Sequence, residues 1–180
     1  MKSNRERAWE KAWEVRDFEI KLYWERAKYF WAFIAASFVA YFASLGTSIK
    51  TEFTELEFII ICIGYFFSLA WTLVNIGSKN WQKNWEGHID RLEENFTGPL
   101  YRTVIDAKNY SVSKVNIQTS RFIMVIWILL CFRFLFSDEK FNWLVIILSL
   151  TITLVFTLIL IISGRSGGNK KFNYKIRELK

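Results

Sequence analysis

Residues 143–163 read WLVIILSLTITLVFTLILIIS, 21 consecutive residues without a charge. At 1.5 Å of rise per residue such a block is about 30 Å long as a helix, which is the thickness of a bilayer's hydrocarbon core. Three further blocks come close to that length. Residues 29–45 (YFWAFIAASFVAYFASL) and 58–77 (FIIICIGYFFSLAWTLVNIG) carry no charge, and 122–136 (FIMVIWILLCFRFLF) carries only Arg133. In hydrocarbon the backbone has no water to bond, so each block must satisfy its own amides as a helix. The expectation is an all-α, polytopic membrane protein with four transmembrane helices and a helical layer outside the bilayer. A soluble bundle of buried helices is the alternative, and the uncharged fourth block weighs against it.

Apolar residues form 52% of the chain and aromatics 18%, which excludes disorder. The two cysteines, Cys62 and Cys131, fall inside apolar blocks and read as space-fillers rather than as a disulfide framework. Residues 1–28 are densely charged and no small-residue cleavage site follows them, so the first block is expected to stay as an anchor. Basic flanks set the orientation. Stretches 1–28, 78–121 and 164–180 hold eight, seven and six Lys or Arg, whereas links 50–57 and 137–142 hold one each, Lys50 and Lys140. That bias predicts two hairpins with both termini and the central segment in the cytoplasm. The resulting division is a cytoplasmic amphipathic helix (1–28), a first transmembrane hairpin (29–77), a central cytoplasmic segment (78–121), a second hairpin (122–163) and a basic tail (164–180). The net charge of +7 fits this orientation and anionic lipid headgroups better than it fits nucleic acid.

Residues 5–28 contain no Gly or Pro, so the first span is expected to continue inward as one long helix. Trp9, Trp13, Ile20, Trp24, Ala27 and Trp31 share one face of it at 100° per residue. Such a ridge must bury against the protein itself or a neighbouring subunit, or lie in the headgroup region. In the central segment Trp81, Trp85, His88 and Leu92 also share a face, the natural mate of that ridge. Asn95, Gly98 and Pro99 supply stop chemistry for this helix, and 101–120 reads as a turn plus a second short helix.

The run SKNWQKNWEGHID followed by LEENFTGPLYR (78–102) resembles the RipA family of small bacterial inner-membrane proteins. The stretches DFEIKLYWERAKYFWAFIAASFVAYF (17–42) and YSVSKVN (110–116) extend the likeness over most of residues 15–130. The resemblance implies an octamer in a bacterial inner membrane. It brings no catalytic residues with it.

His88 is the only histidine. Glu86 and Asp90 point to different sides of its helix, so packing in the aromatic face outweighs a metal site, with a protonation switch as the alternative. Arg133 lies close to the outer end of the third block, where it can snorkel to Asp138 and Glu139 or line an aqueous passage. Small residues recur every four positions at Ala32, Ala36, Ala40 and Ser44, at Gly64, Ser68 and Thr72, and at Ser149, Thr153 and Thr157. Such stripes permit close helix contact, within or between subunits, and their hydroxyls could instead line a pore. No GxSxG, P-loop, HExxH or intramembrane carboxylate pair is present, and no metal or cofactor is expected. The combined expectation is a ring-like, non-enzymatic homo-oligomer acting as a membrane scaffold or sensor, with membrane lipids and itself as partners and room for an unidentified cytoplasmic partner. The alternative is a pore-forming or membrane-disrupting effector of a bacterial stress or antiphage system.

Overall fold

A computed structural model describes residues 3–46, 55–100, 103, 110–137 and 141–165. Four α-helices account for nearly all of them: α1 (Asn4–Ser44), α2 (Glu55–Leu92), α3 (Val112–Leu135) and α4 (Trp143–Ser163). All four are long and apolar enough to cross a membrane. The described part is all-helical, as the apolar blocks require.

The helices differ in length for local reasons. α1 starts where the Ser3 hydroxyl accepts the Glu6 amide, and its 41 residues run unbroken because no Gly or Pro interrupts them. Such a helix is about 60 Å long, roughly twice the hydrocarbon thickness. α2, at 38 residues, also continues past the apolar block, through Gly77 and Gly87, before a short 3-10 turn at Glu93–Asn95. Gly98, at φ +65, then turns the chain in the left-handed region that favours glycine. The second half of α2 is therefore a direct extension of the second span, so a boundary at residue 77 falls in mid-helix.

Of the expected turn and short helix within 101–120, the described residues from 112 onward belong to α3 rather than to a separate helix. Ser111 caps the Lys114 amide, and the polar residues from Val112 onward are the first turns of α3 itself. With no breaker between 112 and 135, nothing separates a short helix from the span. Residues 101–102 and 104–109 lie outside the described residues. α4 is capped by Asn142, whose side chain accepts the Leu144 amide, and ends at Gly164.

α2 is the centre of the bundle and packs on α1, α3 and α4. The pairs Trp31–Trp71 and Phe33–Phe67 show α1 and α2 antiparallel. Phe58–Phe134 and Thr72–Ser120 show the same for α2 and α3. The Glu55–Asn142 contact at the link end and the Phe66–Phe156 pair about three turns further along make α4 parallel to α2. The buried apolar cluster formed by Tyr41, Phe58, Ile61, Trp127, Phe134 and Ile146 lies toward the end that carries the 46–55 and 136–142 links.

Candidate functional site

The interior of the bundle is a vertical series of polar contacts along α2, broken once by an aromatic contact. At the link end, the Arg133 guanidinium donates to the Tyr41 hydroxyl (2.6 Å) and to Glu57 Oε1 (3.0 Å). The Glu57 side chain is 7% exposed, while that of Arg133 is 56% exposed. A buried carboxylate thus ties α2 to α3 through a cation that still reaches the surface. The other carboxylates expected near Arg133, Asp138 and Glu139, lie outside the described residues.

Next comes Gly64. A Cβ there would overlap the Cε2, Cζ2 and Cδ2 atoms of the fully buried Trp127 indole. The same indole stacks on Phe38 of α1 (4.3 Å between centroids, 21° between planes) and meets Tyr41 edge-on. One missing methyl therefore lets three helices close around one ring. Ser68, one turn further along α2, returns its hydroxyl to Gly64 O (2.8 Å) and is fully buried.

Thr72 and Ser120 place their hydroxyls 2.9 Å apart across α2 and α3. Each also reaches a carbonyl of its own helix, Ser68 O and Ile117 O, so two protons serve three contacts. Beyond them Asn116 Nδ2 donates to the Tyr23 hydroxyl (2.5 Å) and to Asn75 Oδ1 (3.3 Å), joining α1, α2 and α3. Arg26 closes the series by donating to Ser78 Oγ (3.1 Å).

The three small-residue stripes prove to have different roles within the subunit. Gly64, Ser68 and Thr72 are buried against α3 and bonded as described. Ser149 and Thr153 are half-buried, with Thr153 bonding back to Ser149 O, and Thr157 is buried. On α1, Ala32, Ala36 and Ala40 are exposed, whereas Ser44 is buried. The cause is geometric: a four-residue step turns 400°, so the stripe drifts 40° per repeat and crosses from the outer to the inner face. The buried face of α1 instead reads Tyr23, Ala27, Ile34, Ser37 and Tyr41.

Of the aromatic residues outside the apolar blocks, Trp9 meets Trp13 (6.1 Å) and Phe96 (6.1 Å), which joins the start of α1 to the turn after α2. The Arg16 guanidinium lies 5.3 Å from the Trp13 ring. Trp24 packs edge-on with Tyr23 and Trp31 and remains 38% exposed. Trp85 pairs with His88 on its own helix at 5.3 Å, while Trp81 is 51% exposed. Among the described residues no three His, Cys, Asp or Glu groups converge as a metal cage. Lys79, beyond the apolar block of α2, is held below its usual pKa first by desolvation and then by Lys83 and Lys114.

Glu57, Tyr41, Asn75, Asn116, Ser120 and Trp127 were not distinguished by sequence patterning. Their signal lies in the antiparallel register of α2 and α3, in which 57 faces 133, 64 faces 127, 72 faces 120 and 75 faces 116.

The stretch that carries this interior is also the stretch that comparison recognises. The model of the octameric membrane protein family (8xMP) matches residues 6–136. The chain belongs to that family. It is accordingly a multi-pass membrane protein of homo-oligomeric type. The 8xMP match takes in α1, α2 and α3 and ends before α4 begins. Neither the curated proteins nor the solved structures contain a match.

Proposed function

We propose that the chain is a non-enzymatic, ring-forming scaffold of a bacterial inner membrane, with both termini and the turn after α2 in the cytoplasm, that relays a cytoplasmic state through the assembly. The single observation that supports it is the division of polar and small residues. The hydroxyls and amides at Thr72, Asn75, Asn116 and Ser120 meet across helices of the same subunit, and the Ser68 hydroxyl returns to its own helix. The alanines of α1 at 32, 36 and 40 stay open on the outer face, among exposed Phe33, Val39 and Phe42. A smooth apolar face suits close approach of a second helix, and the interior hydroxyls of Ser68, Thr72 and Ser120 are already engaged within the subunit. Sidedness rests on the 21 Lys or Arg of the cytoplasmic stretches against two in the links.

The pore-forming reading draws on one observation, the half-exposed Arg133 guanidinium, which a ring of copies would repeat around one mouth. Two measurements separate the readings. Overproduction should leave membrane potential unchanged, and rapid depolarisation would establish the pore instead. Ala36→Leu with Ala40→Leu should dissolve the oligomer in detergent while each subunit keeps its helicity; an intact oligomer would remove α1 as the contact surface.

A further inference from the structure

A cleft of about 410 Å³ opens between α1, α2 and α4 at the end of the bundle away from the links. It straddles the edge of the apolar blocks, which begin at residue 29 on α1, end at 77 on α2 and end at 163 on α4. Its chemistry is layered along the helix axes. Ala70, Leu73, Val74 and Leu160 line the part within the blocks. Arg26 and Ser78 sit at the level where the blocks end, with Arg26 half-buried and Ser78 3% exposed. Glu19 and the half-exposed Trp81 stand further out.

Glu19 and Arg26 lie seven residues apart, nearly two full turns, so they share one stripe of α1 about 10 Å apart along the axis. Among the described residues Ser78 Oγ takes up one of the five N–H donors of Arg26, and the guanidinium keeps the fork geometry that binds a phosphate. Apolar floor, then cation, then carboxylate is the order of acyl chain, phosphate and ammonium in a zwitterionic lipid. Trp81, at the rim, is the residue type that settles at headgroup level.

We propose that this cleft holds one aminophospholipid per subunit, with the phosphate on Arg26, the primary ammonium on Glu19, and one acyl chain lying along Leu73 and Leu160. The carboxylate decides the headgroup. Lys79 and the basic flanks attract any anionic lipid to this level, but in the cleft a headgroup with no ammonium places its charge beside Glu19 without compensation. Gly77 provides a steric handle, because a Cβ added there meets nothing within 4 Å and a longer side chain grows into open space.

Native mass spectrometry of the intact oligomer, titrated with dioleoyl phosphatidylethanolamine, phosphatidylglycerol or phosphatidylcholine, tests the assignment. Phosphatidylethanolamine should be retained about fivefold more than either of the others, as expected when one charge-assisted bond is made or lost. Glu19→Gln should abolish its advantage over phosphatidylglycerol. Gly77→Leu should lower phosphatidylethanolamine retention by about the same factor with oligomer mass unchanged. Equal retention of the three lipids, or a preference for phosphatidylglycerol, overturns the proposal. So does a Gly77→Leu oligomer that falls apart, since the cleft would then be occupied by a neighbouring subunit.

Discussion

α2 and α4 run parallel and side by side, yet they solve different problems. α4 is the more apolar helix, and only 11% of its best apolar window is buried within the subunit, against 50% for α2. In lipid the hydrophobic effect sets which segments insert but not which helices associate, because tails are as apolar as leucine. Packing therefore tracks small and polar residues: α2 carries Gly64, Ser68, Thr72, Asn75 and Ser78, all buried. α4 buries Ile146 and Thr157 and leaves Leu144, Ile147, Leu148, Ile152, Leu154 and Leu158 largely open. The most hydrophobic helix is the one least held by its own subunit, and it is also the one beyond the reach of the family match.

The contrast is broken most forcefully at Gly64. Gly64→Leu should destabilise the bundle by about 3 kcal/mol or more, since the indole of Trp127 fills the space a side chain needs. Thermal loss of helicity in detergent measures this, and Trp127→Ala in the same chain should restore part of it. A wild-type melting point would show that α2 and α3 are not closely apposed.

Next in size is the ion pair at the link end. Arg133→Leu leaves Glu57 buried without its cation and should cost about 2–3 kcal/mol. Adding Glu57→Leu should recover much of that loss, so a double-mutant cycle must show strong coupling. Additive losses would mean that Arg133 is satisfied by something other than Glu57.

Asn116→Leu should cost less, about 1 kcal/mol, because hydrogen bonds between membrane helices average roughly 0.6 kcal/mol. A large loss of oligomer without loss of helicity would instead make the Tyr23–Asn116–Asn75 contact part of assembly.

The smallest effect belongs to α4. Ile152→Ala and Leu158→Ala, at sites 50% and 55% exposed, should each change subunit stability by less than about 0.5 kcal/mol. If either dissolves the oligomer, α4 faces a second copy rather than lipid, and the comparison with α2 holds only within one subunit.

Much of the architecture is legible in the sequence. The uncharged run 143–163 marked α4 to the residue, since hydropathy and length are local sums. The lack of Gly or Pro in 5–28 announced the continuous α1. Other features were hidden for a stated physical reason. A polar opening such as 112–121 looks like a separate helix until it is known that nothing breaks it from the span. The stripe through Ala36, Ala40 and Ser44 was visible as a period, yet its 40° drift places its members on different faces. Arg133 was recognisable as unusual, but its carboxylate partner within the described residues, Glu57, is 76 residues away in the chain.

The sequence by itself determined that four segments of this protein are long and apolar enough to cross a bilayer. Those properties come from each residue's own transfer free energy and need no partner. Only the tertiary structure decided which helix is central, which glycine is indispensable to an indole, and which polar groups meet. Those depend on the register between segments distant in the chain, where several alignments bury similar apolar area and only the fit of Gly64 to Trp127, Thr72 to Ser120 and Glu57 to Arg133 distinguishes one of them.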